Sequence, residues 1–219
     1  MVSASFIDNL EHLDQQFTLF LNGVNSQISD QIWMFFSAKL VWIPLYLACV
    51  YFLFRRMGWK KALMCLASAG LTFALCDQVA NLVKDSACRF RPCWHHTMIS
   101  NGLNILEGRG GFFGFFSAHS ANAFAIAVCL TIGFRNDRKH TYNAFFIGSF
   151  LWATLVGSSR IFVGKHFFGD VVVGAIVGMS IGYFISMLAR YIIQKHIDKV
   201  PATGLTLRIF KKAETTAEG

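Results

Sequence analysis

Apolar runs long enough to cross a lipid bilayer constrain this chain more than anything else in it. A membrane-spanning helix needs about 20 mostly apolar residues. Five stretches meet that pattern: Ile32 to Phe54, interrupted by Lys39 and Pro44; Ala62 to Val83; Ala118 to Phe134; the shorter Tyr142 to Val156; and Phe168 to Ile193. Hydrophobic residues make up 54% of the chain and charged residues only 15%, where a soluble domain carries about 25% charged residues. Disorder is excluded by that hydrophobicity, and a soluble enzyme is disfavoured. The expected fold class is all-α, an integral membrane helical bundle of about five transmembrane helices. In the last span Gly174, Gly178 and Gly182 recur every four residues and make one smooth face for close helix packing.

Before the first span, Phe6, Leu10, Leu13, Phe17, Phe20, Leu21 and Val24 recur at helical spacing, with Asp8, Glu11 and Asp14 between them. An amphipathic helix is expected over residues 5–25. It either lies at the membrane interface or packs as a short helix against the bundle. The N-terminal stretch lacks the basic start and short apolar core of a signal peptide. Residues 1–200 are expected to form a single membrane-embedded domain, and residues 201–219 a polar, mobile cytoplasmic tail.

Net charge is +8. In a soluble chain that would suggest nucleic acid, but the loops account for it. Arg55, Arg56, Lys60 and Lys61 join the first two spans. Arg135, Arg138 and Lys139 join the third and fourth, and Arg190, Lys195, Lys199, Arg208, Lys211 and Lys212 follow the fifth. These hold most of the 20 Lys and Arg residues and fall on one side, which the positive-inside rule makes cytoplasmic. No nucleic-acid partner is expected, and no protein partner is evident; the partner surface is the bilayer. Cys49, Cys65, Cys76 and Cys129 fall in apolar runs and read as small buried hydrophobes. No pattern among the six Cys suggests a metal site.

Seven cations stand on the opposite side, against the topological bias: Lys39, Lys84, Arg89, Arg91, Arg109, Arg160 and Lys165. Lys84 ends the second span and Arg91-Pro92 follows. Ser117 and His119 open the third span. Ser159-Arg160 ends the fourth, and His166 and Asp170 lead into the fifth. The three clusters therefore meet at one membrane face. Lys84, Arg91 and Arg160 together suit the oxygens of a phosphoryl group, Arg as a planar fork and Lys as a point charge. Ser117 caps a helix start, which is also an anion-binding position. His119 is placed to hand a proton to a leaving oxygen. His166 and Asp170 are four apart; if the fifth helix starts before His166, both lie on one face and the carboxylate can orient the imidazole as a nucleophile. Each has a plain alternative when taken alone: headgroup anchoring for a cation, a cap for Ser117, a satisfied polar residue at the interface for His119, a capping ion pair for His166 and Asp170.

Together, Lys84-x6-Arg91-Pro92, Phe116-Ser117-Ala118-His119 and Ser159-Arg160-x5-His166-x3-Asp170 resemble the three signatures of the type 2 phosphatidic acid phosphatase superfamily, and within it the membrane-embedded bacterial lipid phosphatases. The resemblance implies a helical bundle with its site at the membrane surface and metal-independent hydrolysis through a phosphohistidine. It implies His166 as nucleophile, Asp170 as its orienting partner and His119 as general acid. Lys84, Arg91, Ser117 and Arg160 are implied as phosphate ligands, with no cofactor and no metal. The middle signature usually reads Pro-Ser-Gly-His, and here Phe116 and Ala118 replace Pro and Gly.

The implied location is a bacterial inner membrane, multi-pass, with the site facing the periplasm. Lipid A phosphate or undecaprenyl diphosphate is the substrate expected. Phosphatidylglycerol phosphate and phosphatidic acid are alternatives, as is phosphoryl transfer to an acceptor other than water. The Cys93–Phe115 segment, with His95, His96, Arg109 and four glycines, reads either as a polar lid with an aromatic base or as a plain loop. Cys88 and Cys93 share this side, but their spacing alone does not establish a disulfide. A phosphoanion transporter is the competing class. It would place ionisable residues at mid-membrane, whereas here they gather at span ends.

Overall fold

Small residues set the centre of the molecule. The computed structural model describes residues 4–199, and its described elements are helical apart from one isolated bridge. The eight α-helices are α1 (Ala4–Asn22), α2 (Gln27–Ser37), α3 (Ile43–Met57), α4 (Trp59–Ala87), α5 (His96–Ser100), α6 (Ala118–Phe134), α7 (Asn143–Phe162) and α8 (Phe168–Ile192). Four helical segments are long and apolar enough to span a membrane: Lys39–Met57, Trp59–Ala87, Asn143–Phe162 and Phe168–Ile197. The fifth expected span, α6, has only 17 residues. It lies in the middle, packed against α4, α7 and α8. Ala121, Ala123, Ala125 and Ala127 are buried around it, so neighbours approach on every side.

The closest approach is between α6 and α8. A Cβ added at Gly174 would lie 2.5 Å from the carbonyl oxygen of Ser117, and one at Gly182 would lie 2.9 Å from that of Ala125. At Gly178 it would collide with the backbone of Ala121. Three glycines four apart thus face the N-cap Ser117 and Ala121 and Ala125 of α6, a packing face as their spacing predicts, and the two helix starts are locked side by side. Around this contact Cys76, Ala80, Phe116, Ala121 and Ala125 form a buried cluster linking α4, α6 and α8.

Outside, the bundle is apolar. Leu47, Leu71, Leu82, Ile147, Leu151 and Phe184 are among many large hydrophobic side chains left exposed, the surface a bilayer covers.

The structure departs from the sequence reading in the fourth span, where α7 runs past the expected Val156 to Phe162, and in the first. The expected span from Ile32 to Phe54 is broken: α2 ends at Ser37, a 3-10 turn covers Lys39–Trp42, and α3 begins at Ile43. Pro44 lacks an N–H and clashes with the preceding turn, so it is accommodated in the first turn of a helix and not inside one. The N-terminal helix packs against the bundle, the second of the readings made for it. Its polar side holds the bundle: Asn22 Nδ2 donates to the carbonyls of Asn104, Ile161 and Phe162, each at 3.0 Å. Its apolar residues Phe6, Leu10, Leu13 and Phe20 face outward.

The basic loops share one end. Lys61 and Arg138 both pair with Asp198, at 2.6 and 3.7 Å, and Arg56 Nη1 lies 2.7 Å from His140 Nε2. The tail expected over 201–219 lies outside the described residues.

Candidate functional site

At the other end, four helix termini and one loop converge: the ends of α4 and α7 and the starts of α6 and α8. Ser117 is the N-cap of α6. Its Oγ accepts from the N–H of Ser120 at 3.4 Å, and its own N–H donates to the carbonyl of Asp170 at 3.0 Å. One hydrogen bond therefore ties the start of α6 to the start of α8. Helix geometry leaves the first-turn N–H groups of α6 without intrahelical partners, and His119 sits in that turn.

α7 ends at Phe162, and a tight turn brings the chain to His166. Gly164 makes that turn: its φ is +76°, and a Cβ there would lie 2.7 Å from the carbonyl oxygen of Asn104. The N–H groups of Lys165 and His166 both donate to the carbonyl of Arg160, at 3.0 and 3.1 Å. The Ser-Arg-x5-His spacing thus brings Arg160 and His166 to neighbouring positions.

His166 is buried, with Nδ1 3.4 Å from Asp170 Oδ2 and without a formed hydrogen bond to that nitrogen among the described residues. Asp170 is fully buried and held in place by neighbours. Arg89 Nη1 donates to Oδ1 at 2.6 Å, and the N–H of Phe167 donates to Oδ2 at 3.0 Å. Burial pushes the His166 imidazole down to about 4, although Asp170 pulls the other way. The ring is therefore neutral at neutral pH, with Nε2 free as a lone pair when Nδ1 carries the proton toward Asp170.

The cations gather around these rings. Arg160 and Arg91 both act electrostatically on His166. His119 lies within electrostatic reach of Arg160, Lys39, His166 and Lys84, and Lys84 within reach of Arg91 and Lys39. All seven residues expected from the sequence (Lys84, Arg91, Ser117, His119, Arg160, His166 and Asp170) therefore stand at one end of the bundle. His119 also borders a cavity of about 240 Å³ lined by Ser37, Lys39, Asp77, Asn122 and Trp152.

Several neighbours were not singled out as site residues from the sequence. Arg160 Nη1 donates to Ser37 Oγ and lies 3.4 Å from Glu107 Oε2. Lys165 Nζ donates to the carbonyl of Gly108. Burial lowers the pKa of that amine, with Cys93 and Glu107 opposing. Arg89, which binds both Asp170 and Asp14, keeps its charge because these two carboxylates outweigh its burial. The only sequence signal for Lys39, Arg89 and Lys165 was a basic residue on the side where cations are scarce; Ser37 and Glu107 gave none.

The Cys93–Phe115 segment folds over the site and is pinned at both ends. Arg91 N–H donates to the carbonyl of Phe112 and Gly114 N–H to that of Arg89, each at 2.9 Å. Arg91 Nε donates to the carbonyl of Phe113 at 3.1 Å. Cys88 and Cys93 are both free thiols, Cys88 exposed and Cys93 buried. Among the described residues, no group of three or more His, Cys, Asp or Glu side chains is placed to hold a metal ion.

Known proteins share this arrangement of chain. The sequence profile of the PAP2 superfamily matches residues 58–194. The lipid A 4'-phosphatase of Bacteroides thetaiotaomicron is 33% identical over 200 residues, 90% of this chain and 86% of that protein. The lipid A 4'-phosphatase of Porphyromonas gingivalis is 31% identical over 182 residues, 82% of this chain and 74% of that one. Among solved structures, a transmembrane PAP2-type phosphatidylglycerolphosphate phosphatase from Bacillus subtilis superposes with a TM-score of 0.64 at 21% identity, covering 86% of this chain and 88% of its own. Aquifex aeolicus LpxE does so with a TM-score of 0.58 at 24% identity, covering 79% and 93%. At those identities the structures share the fold.

Proposed function

This chain belongs to the PAP2 superfamily and is a multi-pass membrane lipid phosphatase; from that premise we propose that it removes the 4'-phosphate of lipid A, at the periplasmic face of a bacterial inner membrane, through a phosphohistidine on His166. One observation carries the reading: cations and imidazoles from span ends far apart in sequence meet around a neutral, buried His166 backed by Asp170. The two lipid A 4'-phosphatases, matched over most of this chain, support the choice of lipid. The distribution of basic loops supports the orientation.

In this mechanism Lys84, Arg91, Arg160 and the first-turn N–H groups of α6 hold the phosphoryl oxygens, where charge builds in the transition state. His166 Nε2 forms a bond to phosphorus as the bond to the lipid oxygen breaks. His119 gives its proton to that oxygen, and the dephosphorylated lipid leaves. Water then attacks the phosphohistidine, passing a proton to His119, and inorganic phosphate is released with His166 restored. Asp170 keeps the imidazole oriented throughout.

A phosphate-release panel of purified protein with lipid A, undecaprenyl diphosphate and phosphatidylglycerol phosphate tests this. Release is expected to be fastest from the 4'-position of lipid A, to persist in chelator, and to be inhibited by vanadate. His166→Ala is expected to lose more than about 10³-fold in kcat while still inserting. A preference for undecaprenyl diphosphate would replace the lipid and keep the chemistry. Full activity in His166→Ala would remove the nucleophile assignment.

A further inference from the structure

The start of α8 carries Asp170, and its N–H groups have no intrahelical partners. Two of them are satisfied from α1. Phe168 N–H donates to Thr18 Oγ1 at 3.0 Å, and Gly169 N–H donates to Asp14 Oδ1 at 2.8 Å. The other oxygen of Asp14 accepts from Arg89 Nη2 at 2.8 Å, while Arg89 Nη1 donates to Asp170 Oδ1 at 2.6 Å. The guanidinium also lies 4.3 Å above the ring of Phe167. A Cβ at Gly169 would lie 2.9 Å from Asp14 Oδ2, so α1 and α8 are in close contact here. Asp14 precedes residues 58–194, the part of the chain that the family profile covers.

We propose that Asp14 is a positioning residue for the His166–Asp170 pair, acting through Arg89 and the first turn of α8, an inference that rests on His166 being the nucleophile. The reason lies in the fork of Arg89. A guanidinium facing a single carboxylate tends to engage both of its oxygens. Here Asp14 takes one arm of the fork and Asp170 the other. Asp170 Oδ2 is thereby left for the N–H of Phe167 and for His166 Nδ1. Without the Asp14 charge, the fork closes on Asp170 and competes for Oδ2, the oxygen that His166 meets at only 3.4 Å. The charges facing His166 would then be Arg160 and Arg91 against an Asp170 more fully neutralised by Arg89.

The test is steady-state kinetics of the full chain on lipid A in detergent, across pH. Asp14→Asn keeps an oxygen for the N–H of Gly169 but gives up the charge. It is expected to lower kcat about tenfold with KM within about twofold. Its acid limb should move to lower pH by about half a unit, because the imidazole loses negative charge nearby. Asp14→Glu should recover most of kcat. In an Arg89→Gln background, Asp14→Asn should cost less than about twofold more, since both substitutions act through one group. Should Asp14→Asn fail to fold, Arg89→Lys carries the test, because an ammonium cannot fork; it should show the same lowered kcat and shifted limb. An unchanged kcat and limb in folded Asp14→Asn, or in Arg89→Lys, overturns the proposal. So does a full additive loss on the Arg89→Gln background. His166→Ala runs alongside: activity surviving there overturns the nucleophile reading, whereas an inactive His166→Ala beside an unaffected Asp14→Asn overturns only this one.

Discussion

His166 is an uncharged imidazole placed among cations, and that fixes how the reaction should respond to pH. Burial holds its pKa down to about 4, below the ordinary histidine value. The nucleophilic lone pair is therefore present above that pH and lost as pH falls through it. The acid limb of kcat/KM is expected near pH 4, and a limb near 6.5 would mean a solvated ring. Asp170→Asn should lower kcat on the order of 10³- to 10⁴-fold by leaving the ring free to take the wrong tautomer, and should move the limb further down. Motif spacing made these two residues legible, although not through the shared helix face expected: α8 begins at Phe168, so His166 precedes the helix and Asp170 meets it from the first turn. Their supports were hidden for the opposite reason. Arg89 reaches Asp14 and Asp170 across 75 and 81 residues, and Arg160 reaches Ser37 across 123. No local period reports such pairs.

Among the helices, what could be read was length and apolarity, and what could not was where a backbone breaks. α6 occupies the limits expected of it. α8 begins where expected and ends one residue short. The first span starts later than expected and covers Lys39–Met57, because Pro44 belongs near a helix start and the chain turns at Lys39–Trp42. The glycine stripe on α8 was read as a packing face, and its partner on α6 proves to be backbone. That contact decides the site, since it places Ser117 against Asp170. Gly178→Ala is therefore expected to force the two helices apart, with about 1–3 kcal/mol lost in detergent unfolding and a clear fall in kcat. Gly70→Ala is the matched control: it lies in α4 with nothing within 4 Å of the added Cβ, so stability should hold or rise slightly. Equal behaviour of the two variants would mean that the α6–α8 contact does not matter.

At the scale of the whole molecule, function depends on which end of the bundle faces out. The basic loops meet at one end through Lys61, Arg138 and Asp198, and the cation–imidazole site lies at the other. Cations on cytoplasmic loops set orientation because they resist translocation. The loops outweigh the site in that respect, although the site keeps several cations of its own to hold phosphate. Two thiols can report the outcome in intact cells. Cys88 caps the end of α4 on the site side and is exposed, whereas Cys49, Cys65, Cys76, Cys93 and Cys129 are buried. A Cys placed at Lys139, exposed in the opposite loop, marks the other face. In spheroplasts, a membrane-impermeant maleimide should label Cys88 at once and label Lys139→Cys only after permeabilisation. Labelling in the reverse order would put the site in the cytoplasm. The phosphorylated lipid would then have to be met on the inner leaflet, and the proposed periplasmic step would fail even with every catalytic residue in place.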